Sequence, residues 1–134
     1  MIPAVSNLLT ADLDIKEQPS YTYKLDTNSQ HVRGYTDELE AMQQAIYKIL
    51  LTERYQYVIY SWNYGIELAD LFGQPASYVC PELERRITEA LTNDSRITSV
   101  DDFEFDTSKR GSVHVSFTAH TEYGDVEAER TVNI

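Results

Sequence analysis

An apolar stripe at helical spacing is the clearest pattern in the chain. Its members recur every three or four residues and would share one face of a helix: Leu39, Met42, Ile46, Ile49 and Leu50. Thr36, just before this stripe, is a good N-cap residue, and the acidic residues after it favour the positive end of the helix dipole. We therefore predict a helix that starts at Thr36 and runs to about Leu51.

A second stripe predicts a helix over residues 81–91. Its apolar positions are Leu83, Ile87, Ala90 and Leu91. Pro81 is placed in the first turn, where its missing N–H costs little. Glu82 and Arg86 are four residues apart in the favourable order for an ion pair. Residues 66–72 predict a third, short helix that Gly73 stops.

Strict alternation of apolar and polar residues predicts three antiparallel strands in the last third of the chain. They cover residues 103–106, 113–120 and 126–134. Arg130 falls in phase with the apolar positions, so it either pairs with a carboxylate or sits at a rim. Residues 21–26 and 31–34 predict a smaller hairpin earlier in the chain.

This order of elements favours an α+β fold, in which two main helices pack on a mostly antiparallel sheet that ends in a three-stranded meander. The chain has 134 residues, a length typical of one domain, and we assign that domain to residues 20–134. Residues 1–19 are weakly patterned and contain Pro19, so they predict a flexible N-terminal arm.

The net charge is −11, from 11 basic and 22 acidic residues. That balance disfavours binding to the phosphates of nucleic acids and to anionic membranes. Apolar runs are far shorter than the ~20 residues of a membrane helix, and no basic residue precedes Lys16 to form an export leader. The single cysteine, Cys80, cannot close an intramolecular disulfide, so an intracellular folding compartment fits best.

No catalytic, cofactor or metal motif emerges from the sequence, and we expect none. His31, His114 and His120 lack metal-ligand spacing and are interpreted as solvated residues. Cys80 lies beside a predicted helix start, which can activate a thiol, but a structural role is favoured. Glu53, next to Arg54, is the least ordinary carboxylate, with a cap or an ion pair as its ordinary role.

Residues 55–64 (YQYVIYSWNY) are dense in aromatic and β-branched types and predict a short strand or a well-packed loop. Tyr60, Trp62 and Tyr64, with Gly65, would form an aromatic patch. Core packing is favoured over a protein interface for this patch, and the lack of interleaved basic residues disfavours stacking on nucleic-acid bases.

From about residue 20 to the end, the sequence resembles the XkdS-like baseplate proteins of contractile phage tails and PBSX-type prophages. The matching stretches are TYKLD (22–26), ELEAMQQAIYKILLTERY (38–55), YVIYSWNYGIELADLFG (57–73), EALTNDSRITSVDDFEF (89–105) and FTAHTEYGDVE (117–127). It is more remotely similar to the baseplate wedge family that starts the tail sheath. In that family a Glu-Pro-Arg-Ile motif occupies the place of residues 94–97, where this chain has Asp94 and Ser95 before Arg96.

The resemblance implies a non-enzymatic component of a phage or tailocin baseplate, assembled in the host cytoplasm and present in the mature tail. Its implied partners are wedge proteins and the sheath protein, with tail tube or hub proteins as further neighbours. We expect the strand over residues 126–134 to form a docking edge for sheath strands, with Glu127 and Glu129 discouraging unspecific pairing. The partner-binding positions are Arg54, Arg96, Tyr60, Trp62, Tyr64, Val126, Ala128, Val132 and Ile134. For the two arginines, internal ion pairs are an equally open interpretation.

Two other functions stay open at this point. A peptidoglycan-cleaving glycosidase needs only two carboxylates at the right separation, and 22 acidic residues supply such a pair by chance. An acidic mimic of nucleic acid needs carboxylates spaced like phosphates on one face.

Overall fold

Two helices and five strands make up residues 20–134, the part of the chain that the computed structural model describes. The predicted arm at residues 1–19 lies outside the described residues. The elements, in chain order, are β1 (Thr22–Asp26), β2 (His31–Thr36), α1 (Glu38–Leu51), a 3-10 turn (Ala69–Leu71), α2 (Ala76–Thr92), β3 (Ile97–Asp106), β4 (Ser112–Thr121) and β5 (Gly124–Asn133).

The strands form two antiparallel sheets, which confirms the predicted α+β class. β1 and β2 make a two-stranded hairpin, and β3, β4 and β5 make a meander with β4 in the centre. The predicted alternation in β4 is also confirmed, because its inward residues are all buried: Val113, Val115, Phe117 and Ala119.

The hydrophobic core lies between the meander and the two helices. α1 packs against β5, and α2 packs against β3. The helical stripes supply the other half of the core, with Met42, Ile46, Leu83, Ile87 and Leu91 almost completely inaccessible to solvent. Both apolar stripes therefore face the sheet, as their spacing predicts.

The β1–β2 hairpin is attached to α1 through Gln44 and through an ion pair between Lys24 and Glu40. Gln44 accepts a hydrogen bond from the Leu25 N–H and donates one to the Tyr23 carbonyl, both at 2.8 Å. The Gln44 side-chain amide thus pairs with the backbone of β1 as the backbone of a neighbouring strand would. A two-stranded hairpin is only marginally stable in water by itself, so its attachment to α1 helps to keep it folded.

The start of α1 differs from the prediction by two residues. Asp37, not Thr36, is the N-cap: its backbone is extended and its carboxylate accepts from the Glu38 N–H at 2.8 Å. Ser20 also donates to the Asp37 carboxylate. Thr36 instead ends β2 and is buried.

The start of α2 was predicted wrongly. The helix begins at Ala76, five residues before Pro81, which therefore lies inside the helix. Pro81 has no N–H for the Ser77 carbonyl. The helix nevertheless extends through it, because the added turn places Val79 in the core with no exposed surface. The predicted helix over residues 66–72 is reduced to the 3-10 turn, and β3 begins earlier than predicted, at Ile97.

Candidate partner-binding surfaces

β5 is an edge strand, with β4 as its one neighbour among the described strands. All ten of its residues pair with β4 without an irregularity. β3, the opposite edge, contains two register shifts, and Asp102 in the second has a positive φ of 55°. Bulges of this kind disturb a sheet edge, so β5 is the more regular template for an added strand.

The four predicted docking residues in this segment face inward rather than toward a partner. Val126 and Val132 are buried, and Ala128 and Ile134 are half-buried against the core. Ile134 donates its N–H to Gly111, so the residues in phase with it bond to β4. Hydrogen-bonded and non-bonded pairs alternate in an antiparallel ladder. The outward N–H and C=O groups therefore belong to the intervening residues: Asp125, Glu127, Glu129, Thr131 and Asn133.

A groove of about 430 Å³ runs along this edge between β5 and α1. Its α1 wall is mainly apolar and includes Ile46, Tyr47, Leu50 and Leu51. Residues 126–130 of β5 form the other wall. Because these residues come from both faces of the strand, the groove follows its edge. Tyr47 and Leu51 are about half exposed there, so the groove offers apolar contacts to an incoming chain.

In the aromatic loop, residues 55–64, only Tyr64 packs against the core, so the favoured interpretation of the patch as core is wrong for Tyr60 and Trp62. Val58, Ile59 and Trp62 are 101%, 86% and 81% exposed. Tyr60 is more than one third exposed, and it stacks on the half-buried Tyr64 with ring centroids 4.5 Å apart. The loop leaves the core after α1, and no element of residues 20–134 covers it.

The neck of the aromatic loop is closed by backbone hydrogen bonds. Ile66 donates to the Thr52 carbonyl at 2.9 Å, and Arg54 donates to the Ile66 carbonyl at 3.1 Å. Gly65 has a φ of +92°, and a Cβ at this position would lie 2.5 Å from the Thr52 oxygen. Only glycine fits here without a shift of the neck.

Both predicted arginines form internal ion pairs. Arg54 donates from Nε to the Gly65 carbonyl and from Nη1 to Glu89 of α2, at 3.3 and 3.2 Å. It therefore ties the neck to α2. Arg96 donates to both carboxylate oxygens of Asp94, at 2.9 and 2.6 Å, and this hydrogen bonding lowers the pKa of Asp94. Contact of either arginine with a partner stays a prediction.

A third arginine, Arg86, joins elements that the sequence pattern did not bring together. Its predicted pair with Glu82 is confirmed at 3.1 Å. It also donates to both oxygens of Asp70 and to the Glu67 carbonyl. Asp70 lies in the 3-10 turn, sixteen residues earlier, and spacing along a helix gives no signal for such a pair.

Glu53 acts as a cap. Its carboxylate accepts hydrogen bonds from the backbone N–H groups of Leu68 and Ala69, at 3.0 and 3.1 Å, at the start of the 3-10 turn. This is the ordinary role that the sequence offered for it. A glycosidase acid needs a raised pKa. In residues 20–134, side-chain hydrogen bonds lower the pKa of six carboxyl groups: Asp26, Glu40, Asp70, Glu82, Asp94 and Asp106.

The two histidines of β4 link strands on the outer face of the meander. His120 contacts Asp125 of β5 through Nδ1 and Asp101 of β3 through Nε2, at 2.7 and 2.8 Å. These carboxylates raise the pKa of His120. His114 contacts Thr131 and Glu129 of β5. His114 and His120 are therefore only partly solvated. Unlike the predicted solvated residues, each contacts at least one carboxylate.

No group of three or more His, Cys, Asp or Glu side chains in residues 20–134 could hold a metal ion. Cys80 is half-buried inside α2 rather than at its start, and burial raises the pKa of its thiol. Within the same range, neither helix has the length and apolarity to cross a membrane.

The fold is thus a small α+β arrangement with a regular open sheet edge and an exposed aromatic loop, features of proteins that act by contact with other proteins. Residues 14–124 match the family model of the contractile injection system sheath initiator, and the chain belongs to this family. It is therefore a structural protein of a phage-type contractile tail, which confirms the family resemblance of its sequence.

A relative supports this assignment, and a solved structure shares the fold. The phage-like element PBSX protein XkdS of Bacillus subtilis (strain 168) is 39% identical over 129 residues, which cover 90% of each chain. The crystal structure of a putative tail lysozyme from Geobacter sulfurreducens has a TM-score of 0.58 and 17% identity, covering 71% of this chain and 89% of that one. At such low identity the second likeness shows a shared fold alone.

Proposed function

We propose that this chain is a baseplate component that starts the tail sheath by accepting a strand from a sheath subunit on the β5 edge. The observation that carries the proposal is the regular outer edge of β5, which no strand of residues 20–134 pairs with, beside the groove on α1. Strand addition gives affinity through main-chain hydrogen bonds and specificity through pockets for alternate side chains. Family membership supports a role in sheath initiation.

Asp125, Glu127 and Glu129 give the edge a preference among partners. They are exposed on the outer face of β5, and their backbone groups point to the open edge. Two copies of this chain would bring these carboxylates together across a shared ladder, which is unfavourable. A strand with neutral or basic outward residues meets no such repulsion.

Proline at Glu127 tests strand addition. Glu127→Pro removes an outward N–H without removing a hydrogen bond to β4, and Glu127→Ala is the matched control that keeps the N–H. We expect tails carrying Glu127→Pro to have baseplates that contain the chain but no ordered sheath in electron micrographs. Tails with Glu127→Ala should be normal. Normal sheaths on the proline variant would refute the proposal.

We further propose that the aromatic loop joins the chain to the baseplate wedge. Residues 55–66 contain no charged residue, in a chain with a net charge of −11. At about 200 Å² for each aromatic side chain, Tyr55, Tyr57, Tyr60 and Trp62 together expose roughly 450 Å². One partner of a standard interface contributes about 800 Å². The loop thus fits an apolar, uncharged pocket on a neighbouring protein.

The loop is tested by a triple variant, Val58→Ser with Ile59→Ser and Trp62→Ser. Its matched control is Val32→Ser with Phe72→Ser, because these residues are also exposed and apolar but lie outside the loop. We expect the triple variant to be folded but absent from purified baseplates, and the control to be incorporated normally. Normal incorporation of the triple variant would exclude the loop as the wedge contact.

We also propose where the domain is assembled and how its two interface arginines act. Residues 20–134 act as one unit in the wedge, assembled in the host cytoplasm, with tail tube or hub proteins as further neighbours. Arg54 acts on the wedge contact by holding the loop neck, and Arg96 adds a contact beside it. Charge reversal of Arg96 that leaves co-purification with wedge proteins intact would remove it from the contact.

A further inference from the structure

Arg130 is a half-buried arginine for which residues 20–134 provide no ion-pair partner. It lies on the inward side of β5, in phase with Ala128 and Val132, and it lines the groove beside α1. Its Nε atom is buried and has no hydrogen-bond partner among the described residues. The sequence pattern predicted a carboxylate pair or a rim position, and this part of the chain supplies no such carboxylate.

A buried Nε–H without an acceptor is unfavourable for the free chain. Removing a polar or charged group from water costs free energy unless a hydrogen bond or a counter-charge replaces the water. The partly buried arginines of the other elements obey this rule, since Arg54, Arg86 and Arg96 each contact a carboxylate within 3.2 Å. An apolar residue would suit the Arg130 site better, unless a partner completes it.

The geometry of the edge defines what that partner presents. A strand added to β5 alternates its side chains between the outer face and the groove. Its groove-facing residues contact the exposed apolar wall of α1, around Tyr47 and Leu51, and one of them lies beside Arg130. Planar guanidinium groups match carboxylates in a bidentate geometry.

We propose that Arg130 pairs with an aspartate or glutamate side chain at a groove-facing position of the incoming strand, flanked by apolar residues. This inference rests on the proposed addition of a strand at β5 and names the chemistry of that strand. It also explains how register is fixed. A slip by one residue would move the acidic side chain to the outer face, where Glu127 and Glu129 repel it.

The test uses the full-length chain and the purified sheath subunit of the same tail, with binding measured by interferometry. Arg130→Met removes the charge and the donors, and Arg130→Gln keeps a donor without the charge. Arg33→Gln is the matched control, because Arg33 is an exposed arginine on β2, in the hairpin rather than the meander. We expect both Arg130 variants to bind at least about tenfold more weakly and the control to bind within about twofold of wild type.

Stability separates recognition from a purely structural role. Arg130→Met removes an unpaired buried donor, so we expect its melting temperature to equal or exceed that of wild type while binding falls. A melting temperature that falls together with binding would make Arg130 a structural residue. Wild-type affinity of Arg130→Gln would rule out a carboxylate partner.

The proline variant distinguishes failure of this inference from failure of strand addition itself. Undiminished binding of Glu127→Pro would refute strand addition and this inference with it. Loss of binding by Glu127→Pro, together with undiminished binding by Arg130→Met, would refute the role of Arg130 alone.

Discussion

Alanine at Gly65 should destabilise the protein by more than alanine at a positive-φ glycine with free space around it. Two effects combine at this position. A non-glycine residue in the left-handed region costs roughly 1–2 kcal/mol. The new Cβ would also lie 2.5 Å from the Thr52 oxygen, the acceptor of the 2.9 Å hydrogen bond from Ile66. Relieving that contact lengthens or breaks a hydrogen bond worth about 0.5–1.5 kcal/mol. We expect a total loss of about 2–3 kcal/mol.

Gly34 supplies the control for this prediction. Its φ is +74°, and a Cβ there would meet nothing within 4 Å, so Gly34→Ala has the backbone strain without the clash. Any stabilisation from reduced flexibility of the unfolded chain applies to both variants. The difference between them therefore isolates the clash at the neck.

Urea unfolding followed by circular dichroism measures both variants on the same scale. We expect Gly65→Ala to be less stable than Gly34→Ala by about 1 kcal/mol or more. Amide hydrogen exchange should also become faster at the neck, at Ile66 above all. Equal free energies of unfolding for the two variants would show that the neck accommodates the new Cβ without cost. The predicted clash with the Thr52 oxygen would then be refuted.

Three further predictions concern the hairpin, the meander and the cysteine. Gln44→Ala should speed amide exchange in β1 and β2 with little change in the meander, because it removes two hydrogen bonds worth about 0.5–1.5 kcal/mol each; unchanged exchange would contradict this. The raised pKa of His120 stabilises the fold fully below the unfolded value of about 6.5, and this contribution is lost as pH rises through the folded pKa. Urea unfolding from about pH 6 to about pH 8.5 should show this loss, and His120→Gln should remove it. Cys80 should react more slowly with iodoacetamide in the folded protein than in urea, and equal rates would count against its burial.

Local periodicity was sufficient to predict the elements that form the core. The stripe from Leu39 to Leu50 and the alternation from Val113 to Ala119 are direct consequences of helix and strand geometry. Each needs only a neighbouring apolar surface, and the packing of α1 on β5 provides it. The family resemblance depended on longer stretches, and the match of residues 14–124 to the sheath initiator model confirmed it.

The features that periodicity could not predict depend on contacts between distant residues. Pro81 suggested a helix start, but burial of Val79, two residues earlier, outweighs the lost hydrogen bond. The aromatic loop has the composition of a core, and only the path of the chain through its neck leaves Trp62 exposed. The alternation placed Arg130 on the inward side of β5. Whether a carboxylate lies within its reach depends on which residues of α1 pack beside it, and spacing along the strand does not reveal that.

The chain contains one tryptophan, and it lies at residue 62 in the loop proposed to enter the wedge. Its indole is largely surrounded by water in the free protein. Transfer of that ring into an apolar pocket would shift its fluorescence emission to shorter wavelength. The protein thus carries a single intrinsic optical reporter at the site of interest, and the kinetics of its entry into the baseplate can be followed by stopped-flow fluorescence without any attached dye.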